Sequence, residues 1–402
     1  MQEKYLSKKF IFIYCFINYI PIIINYLWII ILKEYKSEFE YSDIKVEVNF
    51  LIISFVLLLI ISTLCILLRY NHDLQNHKFV IDKRLSLDIV RGKIEIYLII
   101  LLFLNYYNFL ISGVGKAGGV YSRSFLSTLM FFLNFKFFFW IYFFKYVKQR
   151  NFKFYIIILA YMILQFIQGW TYFVLEFFLA FLCTMESKKQ NKFLLLLPVL
   201  FIVGSLFYYF MYPIKFFIRT GNFVSISFAD AVIKLFQRLS SFSFTIASIQ
   251  NSDKIMDLYY KFNTNGTELI SFFYPWVPGF LLPVKSQRVL NNLHMLAVYP
   301  NYSVETSAGL GISYFYFLGK LGIVYLIFYF SIYFFLIYVY KFMIDLLIPE
   351  NVGYKYYLLF TMVLYPLRGI SFRQMGTDVP AIWTLILLIL LGIIKIRKKR
   401  IV

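Results

Sequence analysis

Residues 49–68 read NFLIISFVLLLIISTLCILL, a run without a single charge. An α-helix rises about 1.5 Å per residue, so such a run covers about 30 Å, the thickness of a bilayer's hydrocarbon core. Similar runs recur at 10–32, 94–113, 125–146, 154–169, 170–185, 193–212, 320–343, 355–372 and 379–396. That makes about ten spans, and up to twelve if short aromatic-rich runs are counted. The runs at 154–169 and 170–185 meet at Gly169-Trp170, so the spacing predicts a tight helical hairpin with Gly at the turn and Trp at the membrane interface. Lys4, Lys8 and Lys9 precede the first run, which is too long for a signal-peptide core and reads as a retained span.

The composition agrees. Of 402 residues, 61% are hydrophobic and 15% charged, whereas soluble domains sit nearer half apolar and about a quarter charged. The net charge of +20 would suggest nucleic acid in a soluble protein, but cytoplasmic loops of membrane proteins collect Lys and Arg, and no nucleic-acid partner is expected. Cys15, Cys65 and Cys183 lie far apart, and the three His are scattered. Neither set has metal or disulfide spacing, so no metal and no cofactor is expected.

The predicted fold class is an all-α, polytopic transmembrane bundle. Residues 1–212 form an N-terminal bundle of about seven spans, 213–306 one large loop, and 307–402 a C-terminal bundle of about three spans. Basic residues orient it. Lys4 to Lys9, Arg69 to Lys93, Lys145 to Lys153, Lys188 to Lys192 and Lys395 to Arg400 fall on one side, which places both termini in the cytoplasm and the large loop outside. Within that loop, 228–250 is amphipathic enough to lie in the interface. Residues 269–284, LISFFYPWVPGFLLPV, read as a broken, re-entrant segment shielded by protein.

That loop holds cations where few are expected: Lys215, Arg219, Lys234, Arg238, Lys254, Lys261, Lys285 and Arg288, joined by Arg368 and Arg373 in a second short outer segment. Guanidinium groups bind phosphate through paired hydrogen bonds, so the set points to an anionic lipid head bearing pyrophosphate. His294 is the one outer His and the candidate base; Glu305 is the second, with Asp230 and Asp378 as rivals. Lys136 and Glu176 lie inside spans, where charge is costly, and either pair with each other or line a polar cavity. Gln168, Trp170 and Glu176, near one outer turn, are candidates for binding glycan hydroxyls. Glycines at 309, 311, 319 and 322 indicate close helix packing.

Taken together, many spans, a late outer loop containing Arg238-Leu239-Ser240, the Gly-rich 309–322 stretch and Arg368-Gly369 resemble the Wzy-type O-antigen or capsular repeat-unit polymerases. Gly169-Trp170-Thr171 departs from that family's Gly-Ser-Arg, and Tyr299 replaces the glycine expected after Arg288. The resemblance implies a GT-C-like membrane glycosyltransferase of the bacterial inner membrane. It would join oligosaccharides carried on undecaprenyl pyrophosphate, without metal, beside a flippase and a chain-length regulator. Arg219, Arg238, Arg288, Arg368 and Arg373 would then hold pyrophosphate. O-antigen ligases share the architecture and the donor; a flippase or other transporter is the non-enzyme alternative.

Overall fold

A bilayer core offers no water to satisfy an amide, so an apolar chain must bond its own backbone, and helices do this within one segment. The computed structural model describes residues 19–33, 50–76, 85–113, 115, 125–170, 172–184, 197–239, 242–263, 266–276, 288–298, 310–348, 357 and 361–398. They form α1 (Tyr19–Leu32), α2 (Phe50–Asn76), β1 (Leu85–Ile89), α3 (Arg91–Ser112), α4 (Phe125–Phe132), α5 (Phe135–Tyr146), α6 (Phe152–Ile167) and α7 (Tyr172–Thr184). Next come α8 (Leu197–Thr220), α9 (Phe228–Leu239), α10 (Phe242–Gln250), α11 (Ser252–Phe262), α12 (Thr267–Ile270) and α13 (Leu290–Val298). The chain closes with α14 (Ser313–Leu321), α15 (Ile323–Leu347), α16 (Tyr365–Arg368), α17 (Phe372–Gly376), α18 (Pro380–Leu390) and β2 (Ile394–Lys398).

Among the described residues, five stretches are long and apolar enough to cross a membrane: Phe50–Asp73, Arg91–Ser112, Phe125–Tyr146, Phe201–Ile218 and Ile323–Leu347. The protein is thus a helical membrane protein, as the sequence predicts. The hairpin at 154–185 folds as α6, 16 residues as expected but shifted two positions earlier, and α7, of which 13 residues are described; α6 reaches about 24 Å, short of a full crossing of about 30 Å. The last expected span stops as helix at Leu390, and Gly392, at φ 64°, turns the chain into β2. The described part of 355–372 contains the single-turn α16.

An antiparallel ribbon departs from the all-α expectation. β1 pairs with β2, Leu85 opposite Lys398 and Ile89 opposite Ile394. Five residues of alternating pattern (LSLDI, IKIRK) beside charged runs give too short a signal to separate from loop. The ribbon is tied to the bundle by Val90 N–H, which donates to the Ile393 carbonyl at 2.9 Å, and by the Tyr146 hydroxyl, which donates to the Ile89 carbonyl at 3.0 Å.

At the centre lies α5, FKFFFWIYFFKY, whose residues from Phe137 to Phe144 are all buried. A helix apolar on every side belongs inside a core. Phe139 packs on Tyr161 at 4.2 Å between ring centroids, Phe137 on Tyr340 at 4.8 Å, and Trp140 on Tyr357 at 5.1 Å. Aromatic abundance here fills volume. Near the ribbon, Glu95 Oε1 accepts from Arg91 Nε at 3.0 Å and from the Tyr142 hydroxyl at 2.9 Å, which compensates burial of that carboxylate.

The region expected as the large loop is helical in its described parts. The amphipathic stretch 228–250 is two helices. α9 packs on α8 around a satellite cluster of Tyr208, Tyr212 and Ala231. α10 enters the main core through Phe242, Ile246 and Ala247 and packs against α2 and α14. Of the expected re-entrant segment, α12 and a 3₁₀ turn at Ser271–Phe273 are described. They pack on α17, where the Trp276 indole donates to the Gly376 carbonyl at 2.7 Å.

Candidate functional site

The site builds from a break in one helix. α4 and α5 are halves of one expected span, parted at Leu133-Asn134. A break frees backbone groups, and Thr384 of α18 takes two of them: its hydroxyl accepts from Asn134 N–H at 3.1 Å and donates to the Phe132 carbonyl at 2.8 Å. The Asn134 side chain caps α5 by accepting from Phe137 N–H at 3.1 Å. Lys136 therefore sits in the first turn of a helix that starts inside the bundle.

The α6–α7 turn supplies its partner. Gly169, at φ 78°, adopts a left-handed conformation that favours glycine. The Trp170 indole donates to the Gly115 carbonyl at 2.8 Å, and Gln165 donates weakly to Gln168 at 3.4 Å. One turn into α7, Glu176 Oε1 receives the Lys136 ammonium, the pairing that the sequence raised as one alternative. The two partners differ in access: the Glu176 side chain is 9% exposed, the Lys136 side chain 58%. Lys136 has Tyr161, Tyr172 and Asp378 as further electrostatic neighbours. The ion pair, with groups from α6, α7 and the segment before α18 around it, makes a polar cluster inside an apolar bundle.

Asp378 closes the ring from the other side. Its Oδ2 accepts from the Tyr365 hydroxyl at 2.8 Å, and its backbone carbonyl accepts from the Tyr340 hydroxyl at 2.7 Å. Tyr365 also feels the charge of Arg368, whose guanidinium carbon lies 5.9 Å from the centre of the Tyr172 ring. The signs alternate: Arg368, Asp378, Lys136, Glu176.

Arg368 is placed by its neighbour. Gly369 ends α16 at φ 62°, and a Cβ there would meet the backbone of Gly311, itself at φ 60°. Beyond it, Ser371 and Gln374 form a reciprocal capping box that starts α17. α17 is joined to the large-loop region through Glu268. That side chain is 0% exposed; Oε1 accepts from the Tyr314 hydroxyl at 2.8 Å and Oε2 from Leu290 N–H at 3.4 Å. The Tyr314 oxygen in turn accepts from Phe372 N–H at 3.3 Å. Desolvation pushes the Glu268 carboxyl up to about 7, against the opposing pull of those two donors.

Other expected site residues lie elsewhere. His294 is 0% exposed, with Nδ1 2.9 Å from the Ser248 hydroxyl and its ring edge-on to Phe244. Burial lowers its pKa to about 3, so it is neutral and sealed from any substrate unless the surrounding helices part. The Arg288 guanidinium carbon lies 4.6 Å from the centre of the Phe262 ring, and its backbone is held by Asn263 at 2.7 and 2.8 Å. Arg373 is half-buried on α17. Arg219 and Arg238 fall in the last turns of α8 and α9, with side chains outside the described residues, and Glu305 is also outside them. Asp230 serves a helix start, exchanging hydrogen bonds with Ser227 at 2.7 and 3.1 Å. The structure thus gathers Arg368 and Glu176 near the Gln168–Trp170 turn, together with Lys136 and Asp378, and leaves Arg288 and His294 in a separate group. Sequence reasoning missed Glu268 and Tyr365; a lone carboxylate in TNGTELI reads as an ordinary helix-start acid.

No family model, curated protein or solved structure matches this chain.

Proposed function

We propose that the chain is a repeat-unit polymerase, a GT-C-like glycosyltransferase of the bacterial inner membrane. In this reading it joins oligosaccharides carried on undecaprenyl pyrophosphate at the outer face, with both termini in the cytoplasm and no cofactor. The observation that carries the reading is Arg368: a guanidinium over Tyr172, near the Lys136–Glu176 pair and Asp378, in an apolar bundle. Such a charged cluster suits a substrate with an anionic head and a lipid tail, because clustered charge in a membrane domain marks a substrate path. Stabilising the leaving pyrophosphate needs fixed cations. Arg368 fills that role, with Arg219, Arg238, Arg288 and Arg373 as further contacts to the two lipid-linked partners. The exposed Trp170, at the turn that carries the buried Gln168 and leads to Glu176, is the proposed glycan contact, and a chain-length regulator and a flippase are the expected partners.

The test is deletion of the gene and a silver-stained gel of the surface glycan, complemented with wild type, Arg368→Ala and Arg238→Ala. A single-repeat band restored to a ladder by wild type supports the polymerase, and failure of well-expressed Arg368→Ala to restore it supports the assigned role. Loss of all attached glycan, with lipid-linked polymer accumulating, makes the protein a ligase. An unchanged ladder overturns the polysaccharide reading and favours transport.

A further inference from the structure

The sequence offers His294 and Glu305 as bases, with Asp230 and Asp378 as rivals; His294 is sealed, Glu305 lies outside the described residues and Asp230 serves a helix start. A glycosyl transfer still needs somewhere for the acceptor's hydroxyl proton to go. Among the described residues, Glu268, Glu176 and Asp378 are the carboxylates near the gathered charges. Glu268 is wholly buried and holds Tyr314, which makes it a tie between segments. Glu176 is occupied by Lys136 and almost closed to solvent. Asp378 differs from both. It is half-buried, among the described residues its Oδ2 accepts from the Tyr365 hydroxyl, and Lys136 is its electrostatic neighbour.

We infer that Asp378, held by the Tyr365 hydroxyl beside the Lys136–Glu176 pair, is the proton acceptor of the reaction; the inference rests on the glycosyl-transfer reading above. The acceptor sugar's hydroxyl oxygen forms the new bond to the donor's anomeric carbon. The bond from that carbon to the pyrophosphate oxygen breaks, and its electron pair leaves with the lipid pyrophosphate. The hydroxyl proton passes to Asp378. The groups around the carboxylate fit this task. Tyr365 holds its orientation from α16, and burial raises the carboxyl to about 6, which makes it a better proton acceptor, while Tyr365 and Lys136 pull the other way. Arg368, over the Tyr172 ring and within electrostatic reach of Tyr365, is the cation proposed to meet the leaving anion.

The experiment uses purified full-length protein in lipid nanodiscs, with lipid-linked repeat units extracted from a strain lacking this gene as the probe. Asn at 378 still accepts from Tyr365, so the fold should stand, checked by thermal melting. Asp378→Asn is expected to lower the polymerisation rate by about 10²-fold or more, with little change in KM. A rate within about threefold of wild type overturns the assignment. Tyr365→Phe gives an independent reading. Losing that donor makes the carboxylate easier to protonate, so the acid limb of the pH–rate profile should move to higher pH. An unmoved limb overturns the assignment even if Asp378→Asn fails to fold. Wild type that makes no polymer from these units sinks the glycosyl-transfer reading itself, and the role of Asp378 with it.

Discussion

Gly369 meets Gly311 backbone to backbone, both in left-handed conformations, and a side-chain carbon on Gly369 would collide with the Gly311 amide and carbonyl. The contact joins the start of α14 to the end of α16 and so sets where Arg368 stands. Gly369→Ala combines a clash with backbone strain. Both mechanisms belong to the strongly destabilising class, and a loss of about 3 kcal/mol or more is expected. Thermal unfolding in detergent, compared with Gly92→Ala, where a Cβ meets open space, should show the difference.

The Lys136–Glu176 pair should respond unequally to its two deletions. Lys136→Met strands a carboxylate that is 9% exposed, at a cost of about 3 kcal/mol. Glu176→Gln leaves a lysine whose side chain is 58% exposed and free to move its ammonium, so its cost should be clearly smaller. A double-mutant cycle on melting temperatures reads the asymmetry, and equal losses would contradict the difference in access.

Thr384→Val should uncouple the helix break. Valine keeps the shape but leaves the Asn134 amide and the Phe132 carbonyl without their partner, which costs about 1–3 kcal/mol. Hydrogen exchange should rise first at 132–136, and Thr384→Ser, which keeps the hydroxyl, should stay near wild type.

Stability should depend on pH through Glu268. Its folded pKa, raised to about 7, lies above the unfolded value, so its contribution is full below about pH 4.3 and is lost as pH rises through 7. Glu268→Gln, which still accepts from Tyr314, should flatten the stability profile between those limits. A melting series that keeps its full slope in the variant would remove Glu268 as the cause.

His294 carries the opposite sign. Its folded pKa is lowered to about 3, so the stability tied to its neutral form is full above about pH 6.5 and drains away as pH falls toward 3. His294→Gln should be less acid-sensitive than wild type over that window.

Membrane character was legible because it rests on long apolar runs, such as 50–73, that no local contact can disguise. Span lengths were less so. Hydropathy sees that 125–146 is apolar, but not that it breaks at Leu133-Asn134 into α4 and α5. The pairing of Lys136 with Glu176 was legible as one of two alternatives, since two costly charges in apolar segments either pair or line a polar cavity. The gathering of Asp378 and Arg368 around them was not, because it depends on the turn at Gly369 and on a break set by a threonine far along the chain. The sealing of His294 depends on three-dimensional neighbours such as Ser248 and Phe244, which no local pattern announces.

The β1–β2 ribbon has a consequence for the order in which the molecule is made. β1 emerges from the ribosome early, whereas β2 lies near the far end of the described chain. Nearly all the spans must therefore be threaded into the bilayer before the clasp can shut. Until then β1 is an unpaired strand edge, open to other chains. Quality control would have its longest chance to intercept the protein in that interval. A mutation that weakens the clasp should therefore lower the yield of assembled protein more than the stability of molecules already closed.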